Sequence, residues 1–478
     1  MERKRQGRIT WKMRKTKRTE IFLLCLICLL ALFLQTNALL KGLDHDDVWS
    51  IEVMQNKLSN LARMDVIPAD EVPVHYIMLH FWTKLFGVSE IALRMLSVLF
   101  GLLSVPMIYL TGKRFFSGKV GLMSAFLLSI SVYLIENAQL IRAYSVFLFF
   151  SLLSIYFFGR YIKEFKRRDL VLFTIASIIN FYTHFFASFL LDIQILFFFV
   201  FIKKRRKEFL VSILSVLLFA LPVLLRMKRA FIYNQSSVGQ NLAHLFTFLN
   251  SIHYNAIHST LIIFLLVLFI IGLRRSYKTN KNITILAAMT FFIPLAIAVL
   301  ISFLNLFKVK HYLFALPLFI ILISNGLFKI KRNIRTILLV LLILLSIFAL
   351  ADYYKRPYGP DWKSAFAYIN KNSEAGDIAT VSWYAERPAS YYSETKGIVM
   401  RGYSAEQLGG ILQHYRRVWI LFHDEAYICE KCKTPNLTEV LAYLDNHYKI
   451  IDQKIFAGGI TLHDDPATNI TVYLYEPK

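Results

Sequence analysis

The strongest constraint on this chain is an alternation. Apolar runs wide enough to cross a bilayer recur along residues 21–351, and the segments between them are alternately basic and not. The first run, residues 21–40 (IFLLCLICLLALFLQTNALL), is long enough as a helix to span about 30 Å of hydrocarbon. It lacks a small-x-small site before the polar turn and is followed by many more runs, so a retained anchor is expected here rather than a cleaved leader. Further spans are expected at 90–112, 119–135, 142–162, 169–186, 187–202, 209–226, 259–273, 282–305, 311–328 and 334–351, several of them short or adjoining. The count is about eleven.

Charge tests that count. The tail with Arg3, Lys4, Arg5, Arg8, Lys12, Arg14, Lys15, Lys17 and Arg18 is expected inside, because basic loops stay cytoplasmic. Every second loop then holds a basic cluster: Lys113/Arg114/Lys119, Lys163/Lys166/Arg167/Arg168, Lys203 to Lys207, Arg274/Arg275/Lys278/Lys281 and Lys329/Lys331/Arg332/Arg335. An odd number of spans from an inside start puts the C-terminus outside. The expected organisation is a cytoplasmic tail (1–19), a transmembrane domain (20–351) with an outer loop at 41–89, and an extracytoplasmic α/β domain (352–478).

The composition agrees with a lipid environment: 56% hydrophobic residues, 41 Phe and a mean hydropathy of +0.50 leave more apolar surface than a soluble core covers. A net charge of +24 would suggest a nucleic-acid partner in a soluble chain. Here the basic residues are split among loops and interleave with no nucleic-acid motif, so they set topology and no nucleic-acid partner is expected. Cys25 and Cys28 lie in the first apolar run as small hydrophobes, and Cys429 and Cys432 (Cys-Glu-Lys-Cys) are read as a local bridge ahead of a redox pair or half a zinc site.

After Tyr353 the pattern becomes that of a soluble α/β domain. Trp362, Ala365, Phe366 and Ile369 repeat at helical spacing, residues 377–383 and 417–422 read as strands, Val440, Leu441 and Leu444 suggest another helix, and 470–476 alternates like a closing strand.

The outer loop after the first span is rich in acids: Asp44, Asp46, Asp47, Glu52, Asp65, Asp70 and Glu71. Asp46-Asp47 falls at the membrane–water boundary, where a carboxylate can act as a general base or hold a divalent cation; a helix N-cap is the competing reading. Residues 71–86 (EVPVHYIMLHFWTKLF) read as an apolar, aromatic helix lying in the interface plane. His75 and His80 on it, at i and i+5, read as packing or surface contacts because a two-His metal site needs i, i+4. Arg142 begins the fourth span on the same side, and an arginine at that depth needs a partner: a lipid phosphate, Glu136, or water reached by snorkelling.

These residues, in this order, resemble the GT-C superfamily of polyprenyl-phosphate-sugar-dependent glycosyltransferases, in the branch of protein O-mannosyltransferases and the lipid A aminoarabinose transferase. Asp46-Asp47-Val-Trp-Ser resembles the family's Asp-Glu-Ala-Tyr-Ser, and Val72-Pro73-Val-His-Tyr through Leu-Phe-Gly87 resembles its Pro-Pro-Leu-Tyr-Tyr region. Ala92-Leu-Arg94, Pro106, Gln139 to Ser145 (QLIRAYS), Tyr182-Thr-His184, Lys310-His311-Tyr312 with Pro317, and Pro360-Asp-Trp362 follow. The match is densest over 40–190. Four positions depart from the pattern: Asp47 replaces Glu, Glu71 stands where a His or Lys is usual, Val72 replaces the first Pro, and Leu140 replaces the Glu beside the Arg, removing a salt-bridge partner.

The resemblance implies an α-helical polytopic membrane enzyme of the plasma membrane that moves a sugar from a polyprenyl phosphate to a protein, lipid or glycan acceptor on the outer side. Asp46, with Asp47 beside it, would be the base of an inverting displacement; Arg142, Lys310 and His311 would meet the donor phosphate. Asp47, Asp70 and Glu71 would hold a divalent cation if one is used, Tyr144 and His184 would support the site, and no nucleotide cofactor is expected. A flippase for lipid-linked sugars is the alternative; the lack of paired halves and the one-sided gathering of charge argue against it. Asn234, Asn436 and Asn469 lie in Asn-x-Ser/Thr triplets, which arise by chance, and the short chain suggests a prokaryotic membrane.

Overall fold

The computed structural model describes residues 2–68, 71–234, 256–300, 309–355, 359–381, 385–394, 415–423, 437–458 and 469–478. The helices are α1 (Glu2–Thr36), α2 (His45–Met54), α3 (Leu58–Arg63), α4 (Val74–Phe86), α5 (Glu90–Phe115), α6 (Gly118–Ser129), α7 (Val132–Ala138), α8 (Tyr144–Glu164), α9 (Arg167–Phe181), α10 (Ala187–Phe201), α11 (Arg206–Asn234), α12 (Ala256–Ser276), α13 (Lys281–Leu300), α14 (Leu316–Phe328) and α15 (Arg332–Lys355). The C-terminal part adds α16 (Trp362–Asn372), α17 (Glu386–Tyr392), α18 (Leu437–His447) and strands β1 (Ile378–Val381), β2 (Val418–His423), β3 (Tyr448–Phe456) and β4 (Ile470–Pro477).

Each expected span overlaps a described helix. By length and apolarity, five described helices can cross a membrane: Arg18–Thr36 of α1, α5, α8, Arg206–Arg226 of α11, and α15. The span expected at 119–135 is broken: α6 and α7 meet at 60° and pass the test only as a pair, which makes six. The helices Ala187–Phe201, Lys281–Ile297 and Tyr312–Phe328 are apolar but shorter. The first span also ends early, at Thr36, with turns over 37–40. Large apolar side chains stand exposed along α1 (Phe22 63%, Phe33 64%), α11 (Leu218 69%) and α15 (Ile337 67%). Faces of that kind need lipid, and the chain is a multi-pass membrane protein.

Contacts divide the chain into two units: Met1–Leu39 with Val53–Ala351, and Leu40–Glu52 with Asp352–Lys478. In the first, small residues let helices approach closely. A Cβ built on Gly326 of α14 would lie 2.6 Å from the Cα of Gly272 on α12, and one on Gly272 would lie 2.4 Å from the Leu322 carbonyl oxygen. The chain leaving α1 is tied by side chains of the family-like motifs. Gln139 Nε2 donates to the carbonyls of Gln35 (3.0 Å) and Leu34 (3.4 Å), and the buried Arg94 donates through Nη1 to that of Leu39 (2.7 Å). These carbonyls lie at and beyond a helix C-terminus, where the helix itself supplies no donors.

The second unit is built on a four-stranded sheet of order β1-β2-β4-β3, in which β1 and β2 are parallel and the other pairs antiparallel. Alternation along the strands serves two cores. Ala379, Val381, Trp419, Leu421, Val472 and Leu474 pack with Trp362, Ala365, Phe366 and Ile369 of α16, while Ile378, Val418, Ile420 and Tyr475 pack with Leu444 of α18. Asp361 caps α16, accepting from the Ser364 amide at 3.1 Å. The sequence pattern anticipates α16, α18 and three strands; it does not show β3, an edge strand with a register shift between Ile450 and Asp452. The Cys429–Cys432 and Asn436 readings lie outside the described residues.

Candidate active site

In the first unit, three separated segments converge. The Val74 amide at the start of α4 donates to the Tyr182 carbonyl (2.9 Å), and His75, buried on the same turn, donates through Nε2 to the carbonyl of Ile141 (3.2 Å). These bonds bring Glu71, Arg142 and the 182–186 turn together. Arg142 lies in the bend before α8 and not on the helix, so its place is set by this convergence.

Glu71 is a partner of Arg142. Its Oε1 accepts from Arg142 Nη2 at 2.5 Å, its Oε2 accepts from the Tyr76 hydroxyl, and the two charged side chains are 15% and 19% exposed. The acid that stands where a cation was expected thus pairs with Arg142, and Glu136, the partner considered from the sequence, is buried on α7. Burial, and then the charge of Arg142, push the His75 imidazole down to about 3, and its bond to the Ile141 carbonyl only partly opposes this. His75 is therefore a neutral ring that donates to backbone, and the packing role expected of it is what it has. The His80 ring donates through Nδ1 to the Met54 carbonyl at 2.8 Å.

His184 sits at the far side of this cluster. It stacks on Phe147 (4.8 Å between centroids), lies 5.7 Å from the buried Tyr144 ring, and accepts the Phe186 amide on Nδ1 at 3.2 Å. Of Lys310 and His311 only the backbone is described, in a 3-10 helix over Val309–Phe314; their side chains and all of Asp70 lie outside the described residues. Arg226 was not anticipated. It donates to the carbonyls of Met64 (2.7 Å), Pro68 (2.8 Å) and Ile67, gathering the chain just before Glu71. An arginine closing the apolar run 209–226 was the available signal, since a charge at that depth needs partners.

The acidic pair belongs to the second unit. Asp46 and Asp47 occupy the first turn of α2, where they complement the partial positive charge of a helix N-terminus. Asp44, just before α2, accepts the His45 amide on Oδ1 at 2.7 Å. Asp46 is partly exposed and Asp47 is 1% exposed. Among the described residues no three His, Cys, Asp or Glu side chains gather as a metal site, and Glu71 is engaged by Arg142 and Tyr76.

Residues 70–227 match the family model for dolichyl-phosphate-mannose-protein mannosyltransferases. An uncharacterized protein of Aquifex aeolicus is 30% identical over 142 residues, which is 30% of this chain and 28% of that relative's length. Among solved structures, ArnT from Cupriavidus metallidurans bound to undecaprenyl phosphate superposes with a TM-score of 0.56 at 12% identity, covering 95% of this chain and 97% of that one. The oligosaccharyltransferase AglB from Archaeoglobus fulgidus, in complex with an inhibitory peptide and a dolichol-phosphate, gives 0.54 at 11% identity over 91% of this chain and 73% of that one.

Proposed function

We propose, from the GT-C superfamily fold that this chain has, that it is an integral membrane glycosyltransferase using a sugar on a polyprenyl phosphate. The observation that carries this reading is the family-model match over 70–227, which takes in Glu71, Arg142, Tyr144 and His184. The polyprenyl phosphates bound to ArnT and AglB support the lipid-linked donor. The topology proposed with it has eleven crossings, the basic tail in the cytoplasm and the C-terminal domain outside, supported by the basic clusters in alternate loops.

In the proposed chemistry the Asp46 carboxylate takes the proton of an acceptor hydroxyl or amine while that oxygen or nitrogen bonds to the anomeric carbon. The anomeric carbon–oxygen bond to the phosphate breaks on the opposite face, its electron pair leaving with the polyprenyl phosphate and the configuration inverting. The departing anion needs positive charge rather than a proton, and Arg142, with Lys310 and His311, is the proposed source. The acceptor is a protein, lipid or glycan at the outer surface.

The test is turnover of a panel of polyprenyl-phosphate sugars by the purified chain in nanodiscs. Asp46→Asn, which keeps shape and removes the base, is expected to lower release of polyprenyl phosphate by about 10²–10⁴-fold, with undecaprenyl phosphate binding and thermal stability retained. Unchanged turnover in Asp46→Asn would sink the mechanism.

A further inference from the structure

Arg387, on the short helix α17, grips one stripe of α2. Its Nε donates to Glu52 Oε2 at 3.0 Å, its Nη1 donates to His45 Nε2 at 2.9 Å, and its guanidinium lies 3.6 Å from the centroid of the Trp49 ring. Residues 45, 49 and 52 follow an i, i+4, i+7 pattern, so on a helix they fall within about 60° of one another around the axis. The same geometry sets Asp46 about 100° to one side of His45 and puts Asp47 on nearly the opposite face, in keeping with its burial. One planar cation thus touches both ends and the middle of α2, and it makes the contact an arginine makes well: a fork to two acceptors with its face on an aromatic ring.

Backbone groups before α2 are held as well. The Tyr392 hydroxyl, also on α17, accepts the Leu43 amide at 2.7 Å, and Lys363 and Lys41 donate to the carbonyls of Leu40 and Tyr353. Such bonds fix where α2 starts. Rotation about its own axis is fixed by side chains: Val48 and Ile51 are buried on the helix, and Arg387 supplies three contacts along one stripe.

We propose that Arg387 is a positioning residue that sets the rotation of α2 and so the aim of the Asp46 carboxylate. This rests on the reading of Asp46 as the base. Arg387 acts through α2 and touches no substrate. A displacement of about 1 Å in a catalytic group can lower turnover about 10²-fold with little effect on ground-state binding, and that separation is what distinguishes positioning from general destabilisation.

The test uses the full chain in nanodiscs with the same polyprenyl-phosphate sugar panel and with undecaprenyl phosphate as the binding probe. Arg387→Ala is expected to lower kcat about 10- to 100-fold, with donor KM and undecaprenyl phosphate affinity within about threefold. Arg387→Lys, which can lie over Trp49 but cannot fork to both acceptors, is expected to fall between the two. In the double variant Asp46→Asn/Arg387→Ala the two losses should not add, because a base that is gone cannot be misaimed. Hydrogen exchange of the peptide covering residues 45–54 should speed up in Arg387→Ala while the rest of the chain keeps its protection. Wild-type kcat in Arg387→Ala, equal losses of kcat and donor affinity, or unchanged exchange over 45–54 would each overturn the proposal. Turnover surviving in Asp46→Asn would instead overturn the base reading, and the exchange experiment would still decide whether Arg387 orders α2.

Discussion

Glu71→Gln separates a stabilising role of the Glu71–Arg142 pair from its effect on phosphate binding, because the two are expected to move in opposite directions. The pair has a 2.5 Å contact with both side chains under a fifth exposed. Exposed ion pairs contribute about 0–1 kcal/mol, and breaking a fully buried one costs about 3–5 kcal/mol. This pair lies between those limits. Glutamine keeps a neutral acceptor for Arg142, so a loss of about 1–2 kcal/mol is expected, read as a lower thermal midpoint in detergent. If Arg142 receives a polyprenyl phosphate, the Glu71 carboxylate lies within about 6 Å of that anion and repels it by at most about 3 kcal/mol at an effective dielectric constant near 20. Partial solvent exposure reduces this to about 1–2 kcal/mol, a gain of about 5- to 30-fold in affinity for undecaprenyl phosphate once the carboxylate is neutralised. The assay is a binding titration with undecaprenyl phosphate in nanodiscs at low and at high ionic strength. The gain should shrink with added salt and vanish in Glu71→Gln/Arg142→Gln. Affinity that is unchanged or weaker in Glu71→Gln at low salt would refute the assignment of Arg142 to the phosphate.

Two further perturbations follow from the packing. The folded His75 pKa of about 3 lies below the ordinary value of 6.5, so its contribution to stability is full above about pH 6.5 and is lost as the pH falls toward 3. By pH 5 the loss is about 2 kcal/mol, and His75→Gln, which keeps a donor for Ile141, should flatten the dependence of the denaturation midpoint on pH between 7 and 5; an unchanged slope would show that His75 is not the group responsible. Gly326→Ala puts a Cβ 2.6 Å from the Cα of Gly272, where backbone has to move. A loss of about 1–3 kcal/mol in thermal stability is expected, larger for Gly326→Leu, and wild-type stability in Gly326→Ala would remove the close crossing of α12 and α14.

Much of the candidate site can be read from residue types in order, because Asp46, Glu71, Arg142 and His184 stand in motifs whose spacing is local. Their pairing cannot. The sequence offers Arg142 Glu136, snorkelling or a phosphate, and the structure adds Glu71, 71 residues away. Arg387 carries no local signal at all: it lies between Glu386 and Pro388 in a segment that neither hydropathy nor periodicity singles out, and its partners are 335 and 342 residues distant. Strand β3 was missed for a related reason. As an edge strand it buries little of either face, so Tyr448–Phe456 lacks the alternation that reveals β2 and β4.

The alternation of apolar runs and basic clusters determines by itself that the chain is built from membrane helices, and approximately where each begins. Hydropathy acts on each segment independently of its neighbours, and loop charge sets orientation through the membrane rather than through contacts. Only the tertiary structure decided that one apolar run breaks at 60° between α6 and α7, that the acidic segment 40–52 groups with the C-terminal unit, and that Glu71 closes on Arg142. A charge finds its partner by convergence of distant segments, and residue order encodes that convergence only through the packing of the whole fold.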